Sequence, residues 1–178
     1  MNQKTFSMIL GLCLVTPMVA AAADVANAKT GTVTVVFDHP ENFTDVKDRW
    51  VPSDSGRDAI LADIRTFAVE RGSTCLRSGQ KLEIKFTDID LAGEFEPERG
   101  PNFDSVRIMR DIYIPVMHLE FKLTGADGKV LAEGKRTLRD MDYLDRSLPF
   151  ENDPLAYDKR MLGDWLRGEI KQKSAAAH

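Results

Sequence analysis

The apolar positions of this chain change period along its length, and the changes mark out its elements. Thr32 to Phe37 (TVTVVF) is a short β-branched run and predicts a first strand. A polar stretch with Pro40, Asn42 and Pro52 follows and reads as loop. From about Arg57 to Arg71, Ile60, Leu61, Ile64, Phe67 and Ala68 recur on one face of a 3.6-residue period, which predicts a helix. Ser53 or Ser55 is placed to cap it, and Gly72 and Ser73 mark its fraying end. Beyond the Ser78-Gly79 turn, Leu82, Ile84 and Phe86 alternate with Lys81, Glu83, Lys85 and Thr87 across the segment Lys81–Asp90. One wet face and one dry face point to an antiparallel or edge-exposed sheet rather than a buried parallel one.

The C-terminal half repeats this pattern. After an acidic loop from Ala92 to Asp104, Val106–Met109 and Ile112–Met117 are strand-like, with Pro115 restricting the ladder. Leu119, Phe121 and Leu123 alternate with charged or polar residues, and Asp127-Gly128 closes a hairpin into Val130–Leu138. A second loop ends at Asp153-Pro154, an N-cap followed by a first-turn proline. From Leu155 the chain reads as a helix with Met161, Leu162, Trp165, Leu166 and Ile170 on one side and charges on the other. The order β-α-β-β-β-β-α predicts an α+β fold of two layers: a mostly antiparallel sheet of four to five strands with two helices on one face.

One irregularity stands out. Through Phe86 the apolar residues of the second strand sit on even numbers, whereas Ile89 and Leu91 sit on odd ones. A strand cannot change phase without a bulge, a bend or its own end, so the slip lies at Thr87–Asp88. Unbroken pairing would turn Asp88 and Asp90 into the core beside Phe86, at a high desolvation cost.

The first 23 residues carry a different message. Lys4, the ten-residue apolar run Phe6–Val15, Pro17 and the small-residue tract Val19–Ala23 have the three parts of a cleavable secretory signal, cut near Ala23. The apolar run is well short of the roughly 20 residues that span a bilayer as a helix. The expectation is a periplasmic or secreted protein with no stable membrane insertion. Residues 24–31 are expected to be flexible, 32–172 to form one globular domain, and 173–178 to fray. Losing Lys4 from 24 basic and 28 acidic residues leaves 23 against 28, a mild acidity without the basic surplus of a nucleic-acid binder. Cys75 would then be the only cysteine left, which excludes an intramolecular disulfide and leaves the core to hold the fold.

Several strings carry a resemblance that covers about residues 32–167. They are Lys81-Leu82-Glu83-Ile84-Lys85-Phe86-Thr87-Asp88-Ile89-Asp90-Leu91-Ala92-Gly93, Phe43-Thr44-Asp45, Val106-Arg107-Ile108 before Tyr113-Ile114-Pro115, Gly134 through Leu138–Leu144, and Lys159–Trp165. Together they resemble a bacterial family of unknown function, DUF3016. The resemblance implies an exported bacterial protein. It implies no activity, substrate or catalytic residue.

Three readings compete for Asp88–Glu96. Asp88, Asp90, Gly93, Glu94 and Glu96 occupy positions 1, 3, 6, 7 and 9 of an EF-hand-like loop, so Asp88, Asp90, Glu94 and Glu96 form a candidate site for Ca2+ or another divalent cation. Ala92 at position 5 and Arg99 at position 12 leave the closing ligand missing, and the preceding strand is wrong for helix–loop–helix. The favoured reading is structural, one Asp accepting backbone N–H bonds at the bend or pairing with Arg107. The third is a carboxylate pair for acid/base chemistry. The run Arg139–Arg146 is a second acidic-basic cluster, read first as a self-paired charge run. Asp45, Arg107, Asp140, Asp142 and Tyr143 complete a candidate functional surface. Cys75 extrapolates to the core face of the first helix, and His39 and His118 are singletons without ligand spacing. With no recognisable catalytic motif, the expectation is a non-enzymatic module binding an envelope protein or a small ligand, with no cofactor. The alternative is a metal-binding protein or metal-dependent hydrolase built on the acidic loop.

Overall fold

The structure, a computed structural model, describes residues 31–100, 103–146 and 153–176; the secretory-signal reading of residues 1–23 and the flexible segment before Gly31 lie outside them. A four-stranded sheet runs in the order β1-β2-β5-β6, where β1 is Thr32–Phe37, β2 Lys81–Asp90, β5 Val116–Thr124 and β6 Val130–Arg139. The helix α1 (Asp54–Cys75) crosses from β1 to β2, which lie parallel, while β2-β5 and β5-β6 are antiparallel. A second, two-stranded sheet pairs β3 (Glu94–Phe95) with β4 (Arg107–Ile108). The architecture is the expected α+β one, with a single parallel ladder where the first crossover helix demands it.

The alternation of β2 sets the two faces. Leu82, Ile84 and Phe86 lie opposite Leu123, Phe121 and Leu119, and all six are buried with Val33 and Val35 of β1. Against this face pack Leu61, Ile64 and Ala68 of α1 and Met161, Leu162, Trp165 and Leu166 of the C-terminal helix, in one continuous core. Cys75 is buried in the same cluster, as the helical period predicts. The outer face is polar: Lys85 sits 3.3 Å from Glu120, which lies 2.7 Å from Lys135, one charged row across three strands.

The phase slip in β2 is a bulge. Phe86 pairs with Leu119 and Asp88 with His118, so Thr87 is the extra residue. The slip returns Ile89 to the core opposite Met117 and turns Asp88 and Asp90 outward. Two expected strands are shorter than the pattern suggests. Val106–Met109 contributes only Arg107–Ile108, and Ile112–Pro115 is irregular, the ladder starting at Val116 after the proline that cannot donate to it.

Both helices run further than their periodicity indicated. Ser53 caps α1, its Oγ accepting from Gly56 N at 3.0 Å, and the helix continues past Gly72 to Cys75. The small side of Gly72 is needed there, since a Cβ would meet Val33 Cγ2 at 3.0 Å. At the other end, α2 (Ala156–Trp165) widens into a π turn at Leu166–Ile170 and resumes as α3 (Lys171–Ala176). Glu169, in that wide turn, accepts from Trp165 Nε1 and Arg136 Nε, both at 2.8 Å. Residues 173–176, expected to fray, are helical, and Ser174 is buried. Gln80 explains the correction: its Nε2 donates to Ser174 O at 3.2 Å, and its Oε1 accepts from Ser174 Oγ and from Arg77 N. Truncation after Gln172 removes the partner of a buried amide and should cost about 1–3 kcal/mol in chemical denaturation. An unchanged midpoint would show that the Ser174 contact is idle.

Candidate functional site

The end of β2 is built around Arg107. The segment Phe43–Lys47 lies against β2 as a short parallel bridge in which Asp45 faces Asp90, Asp45 N donating to Ile89 O at 3.0 Å and Leu91 N to Asp45 O at 3.2 Å. Asp88 fixes this segment from the bulge: Thr44 N and Thr44 Oγ1 donate to its two oxygens, each at 2.7 Å. From β4, Arg107 Nη1 donates to Asp45 Oδ2 at 2.6 Å and to Gly93 O at 2.8 Å, and Nη2 donates to Lys47 O at 3.2 Å. The guanidinium also stacks 4.7 Å from the centre of the Phe95 ring. Gly93 makes the approach possible. It has φ 77°, and a Cβ there would meet Met109 Sδ at 2.7 Å and Arg107 Cγ at 2.9 Å.

Two carboxyl groups in this neighbourhood hold protons unusually well. Asp158, on α2, is 1% exposed, and its Oδ1 accepts from Ala92 N at 3.1 Å. Burial pushes its pKa up to about 7 from 3.8, against the opposing pull of the Ala92 N–H and of Arg107. Asp90 is pushed up to about 6, by burial first and then by the charges of Asp45, Asp88 and Glu94.

The four residues expected to bind a divalent cation do not form one site. Asp88 is engaged by Thr44, whereas Glu94 accepts from Phe95 N at 2.8 Å and lies 3.4 Å from Lys47 Nζ. Glu96 is buried and has its own partners, Arg99, Arg110 and Tyr113. The Arg99 guanidinium holds its carboxyl below the usual range, with Arg110 assisting. Among the described residues, no three of His, Cys, Asp and Glu gather in a geometry that could hold a metal ion. The structural role of Asp88 is that of a backbone acceptor at the bend, and the carboxylate that Arg107 grips is Asp45.

The second charge cluster is partly internal. Asp140 is buried, 3.0 Å from Arg160 Nη2 and 3.4 Å from Arg146 Nη1. Asp142 is exposed. Tyr143 is fully buried, its hydroxyl donating to Arg110 O at 2.6 Å and its ring meeting Tyr157 edge-on at 4.8 Å. Asp158 lies between the two clusters, electrostatically coupled to Asp90 and Arg107 on one side and to Tyr143 on the other. The helical period missed it, because Asp158-Lys159-Arg160 reads as a solvated run although all three are buried.

Beside Arg107 a groove of about 600 Å³ opens between α1, β4 and the start of α2. Its walls include Ile60, Leu91, Phe95, Val106, Met109 and Leu155, with Lys47, Asp48 and Asp63 at the polar margin. Val106 and Trp50 are each nearly half exposed, and the Trp50 ring lies 5.9 Å from Lys47 Nζ at the groove margin. His118 and His39 stand elsewhere, the first against Thr137 Oγ1 at 3.0 Å and the second exposed beside Glu41.

Arg107→Ala should destabilise the chain by about 3–5 kcal/mol, because it strands the buried Asp45 carboxylate. Equilibrium unfolding checks this, and a loss below about 1 kcal/mol would contradict it. Asp158 binds more protons folded than unfolded, so its contribution to stability falls as pH rises from about 4 to about 7 and then levels off. Asp158→Asn should flatten the stability–pH curve between pH 6 and 7 and exceed wild type at pH 8. A wild-type curve that rises through that interval would contradict the assignment.

Comparison finds no match among curated proteins and none among solved structures. A family model described as a protein of unknown function (DUF3016) matches residues 31–168, a span that holds both sheets, all of α1 and α2, and every residue of the Arg107 cluster. The chain belongs to the DUF3016 family.

Proposed function

We propose that this protein is a non-enzymatic binding module of the bacterial envelope, and that the groove beside Arg107 takes a small ligand with an apolar body. The composition of that groove carries the reading. Its volume lies within the range of small-molecule sites, and its walls are chiefly aliphatic and aromatic with a few polar groups at the margin. Met109 gives one wall a side chain able to adapt to different shapes. Arg107 spends its hydrogen bonds on Asp45, Gly93 and Lys47, so it stiffens the floor rather than offering a cation to an anionic group. The exposed Trp50 beside the groove adds an aromatic surface that water covers poorly.

The envelope location rests on the signal-like first 23 residues. Among the described residues no helix is long and apolar enough to cross a membrane.

Titration with an apolar fluorescent probe such as anilinonaphthalene sulfonate tests the site. Ile60→Trp fills the groove and should weaken probe binding at least tenfold, or about 1.4 kcal/mol. Val36→Ser, on the outer face of the sheet, should leave binding unchanged. Equal binding by wild type and Ile60→Trp, with both folded, would sink the proposal.

A further inference from the structure

The bridge between Phe43–Lys47 and β2 sets Asp45 and Asp90 opposite each other. Residues paired across neighbouring backbone segments, about 4.8 Å apart, project to the same side. Two carboxyl groups therefore stand side by side, that of Asp45 3% exposed and that of Asp90 partly buried. The two oxygens of Asp45 are treated differently. Oδ2 receives Arg107 Nη1 at 2.6 Å, whereas Oδ1 is buried and receives no hydrogen bond. Lys47 Nζ lies 3.3 Å from Oδ1 but outside hydrogen-bond geometry. A buried oxygen in this state calls for a donor. The group in register with it is a carboxyl, which gains one O–H donor when protonated.

We propose that Asp45 and Asp90 share one proton, held on Asp90 and donated to Asp45 Oδ1, and that its loss loosens Phe43–Lys47 from β2 as a pH-sensitive latch. The surrounding charges favour retention of the proton. Asp90 is faced by Asp88 on its own strand, Asp45 on the bridging segment, Glu94 on β3, Arg107 on β4 and Asp158 on α2, while Lys47 reaches Asp45. Across β5 and β6, Val116 and Arg139 share the row of Asp90, while His118 lies in the row of Asp88. Four carboxyl groups thus surround Asp90 against Arg107, which is already bound to Asp45. The elevated titration of Asp90, to about 6, agrees with this geometry. With the proton gone, repulsion bears on the two backbone hydrogen bonds that hold the segment, Asp45 N to Ile89 O and Leu91 N to Asp45 O.

Carboxyl-detected NMR titration of the full chain, with hydrogen exchange at the Asp45 and Leu91 amides, tests the latch. In wild type the Asp90 carbon should titrate near pH 6. Exchange at both amides, corrected for its intrinsic pH dependence, should rise several-fold between pH 5 and 7. Asp90→Asn supplies a permanent N–H donor and should abolish that rise. Asp45→Asn should lower the Asp90 midpoint, and Asp158→Asn should leave it raised. An Asp90 midpoint near 4 in wild type, or an exchange rise that persists in Asp90→Asn, would overturn the proposal, as would a rise removed by Asp158→Asn instead. Should Asp45→Asn fail to fold, the wild-type midpoint and the Asp90→Asn exchange decide alone.

Discussion

The ion pair between Arg107 and Asp45 is the constraint on which one end of the molecule depends. It joins β4 to the segment before α1, and its other hydrogen bonds take in Gly93 and Lys47. A buried ion pair gains little net stability over an apolar substitute, yet losing one partner is severe. Its use here is geometric. It fixes where the small second sheet sits, and therefore where Phe95, Val106 and Met109 stand around the groove.

The same economy recurs elsewhere. Lys159 reaches Asp63 and Asp153, joining α1 to the start of α2, while Arg160 reaches Asp140 and the carbonyls of Tyr143 and Arg146. The single described cysteine is buried and free, so charge pairs rather than covalent bridges fasten the loops to the apolar core. Burying charge this way leaves Asp158 and Asp90 short of counter-charge, and these two carry the raised titrations.

Much of the fold was legible because alternation and helical period report burial directly. The Thr87 bulge was legible for the same reason, since only a change of phase accommodates Phe86 and Ile89 in one core. The parallel pairing of β1 was not, because a half-exposed strand alternates in the same way whichever direction its neighbour runs. The candidate site was half legible. Asp45, Arg107 and Asp88 were identified, but an acidic spacing cannot show that Glu94 and Glu96 have separate cationic partners. Asp158 escaped because charge in a helix signals solvent on average, while a single backbone N–H from Ala92 suffices to admit it to the interior.

The pairing of Gln80 with Ser174 ties the first crossover to the far end of the domain. The β1-α1-β2 unit lies within the first 90 residues, and its parallel pair is closed by its own crossover helix. The turn that joins α1 to β2 nevertheless keeps a side-chain amide whose partner lies 94 residues away. In the folded chain it is therefore the final helical turn that shields the first crossover from water.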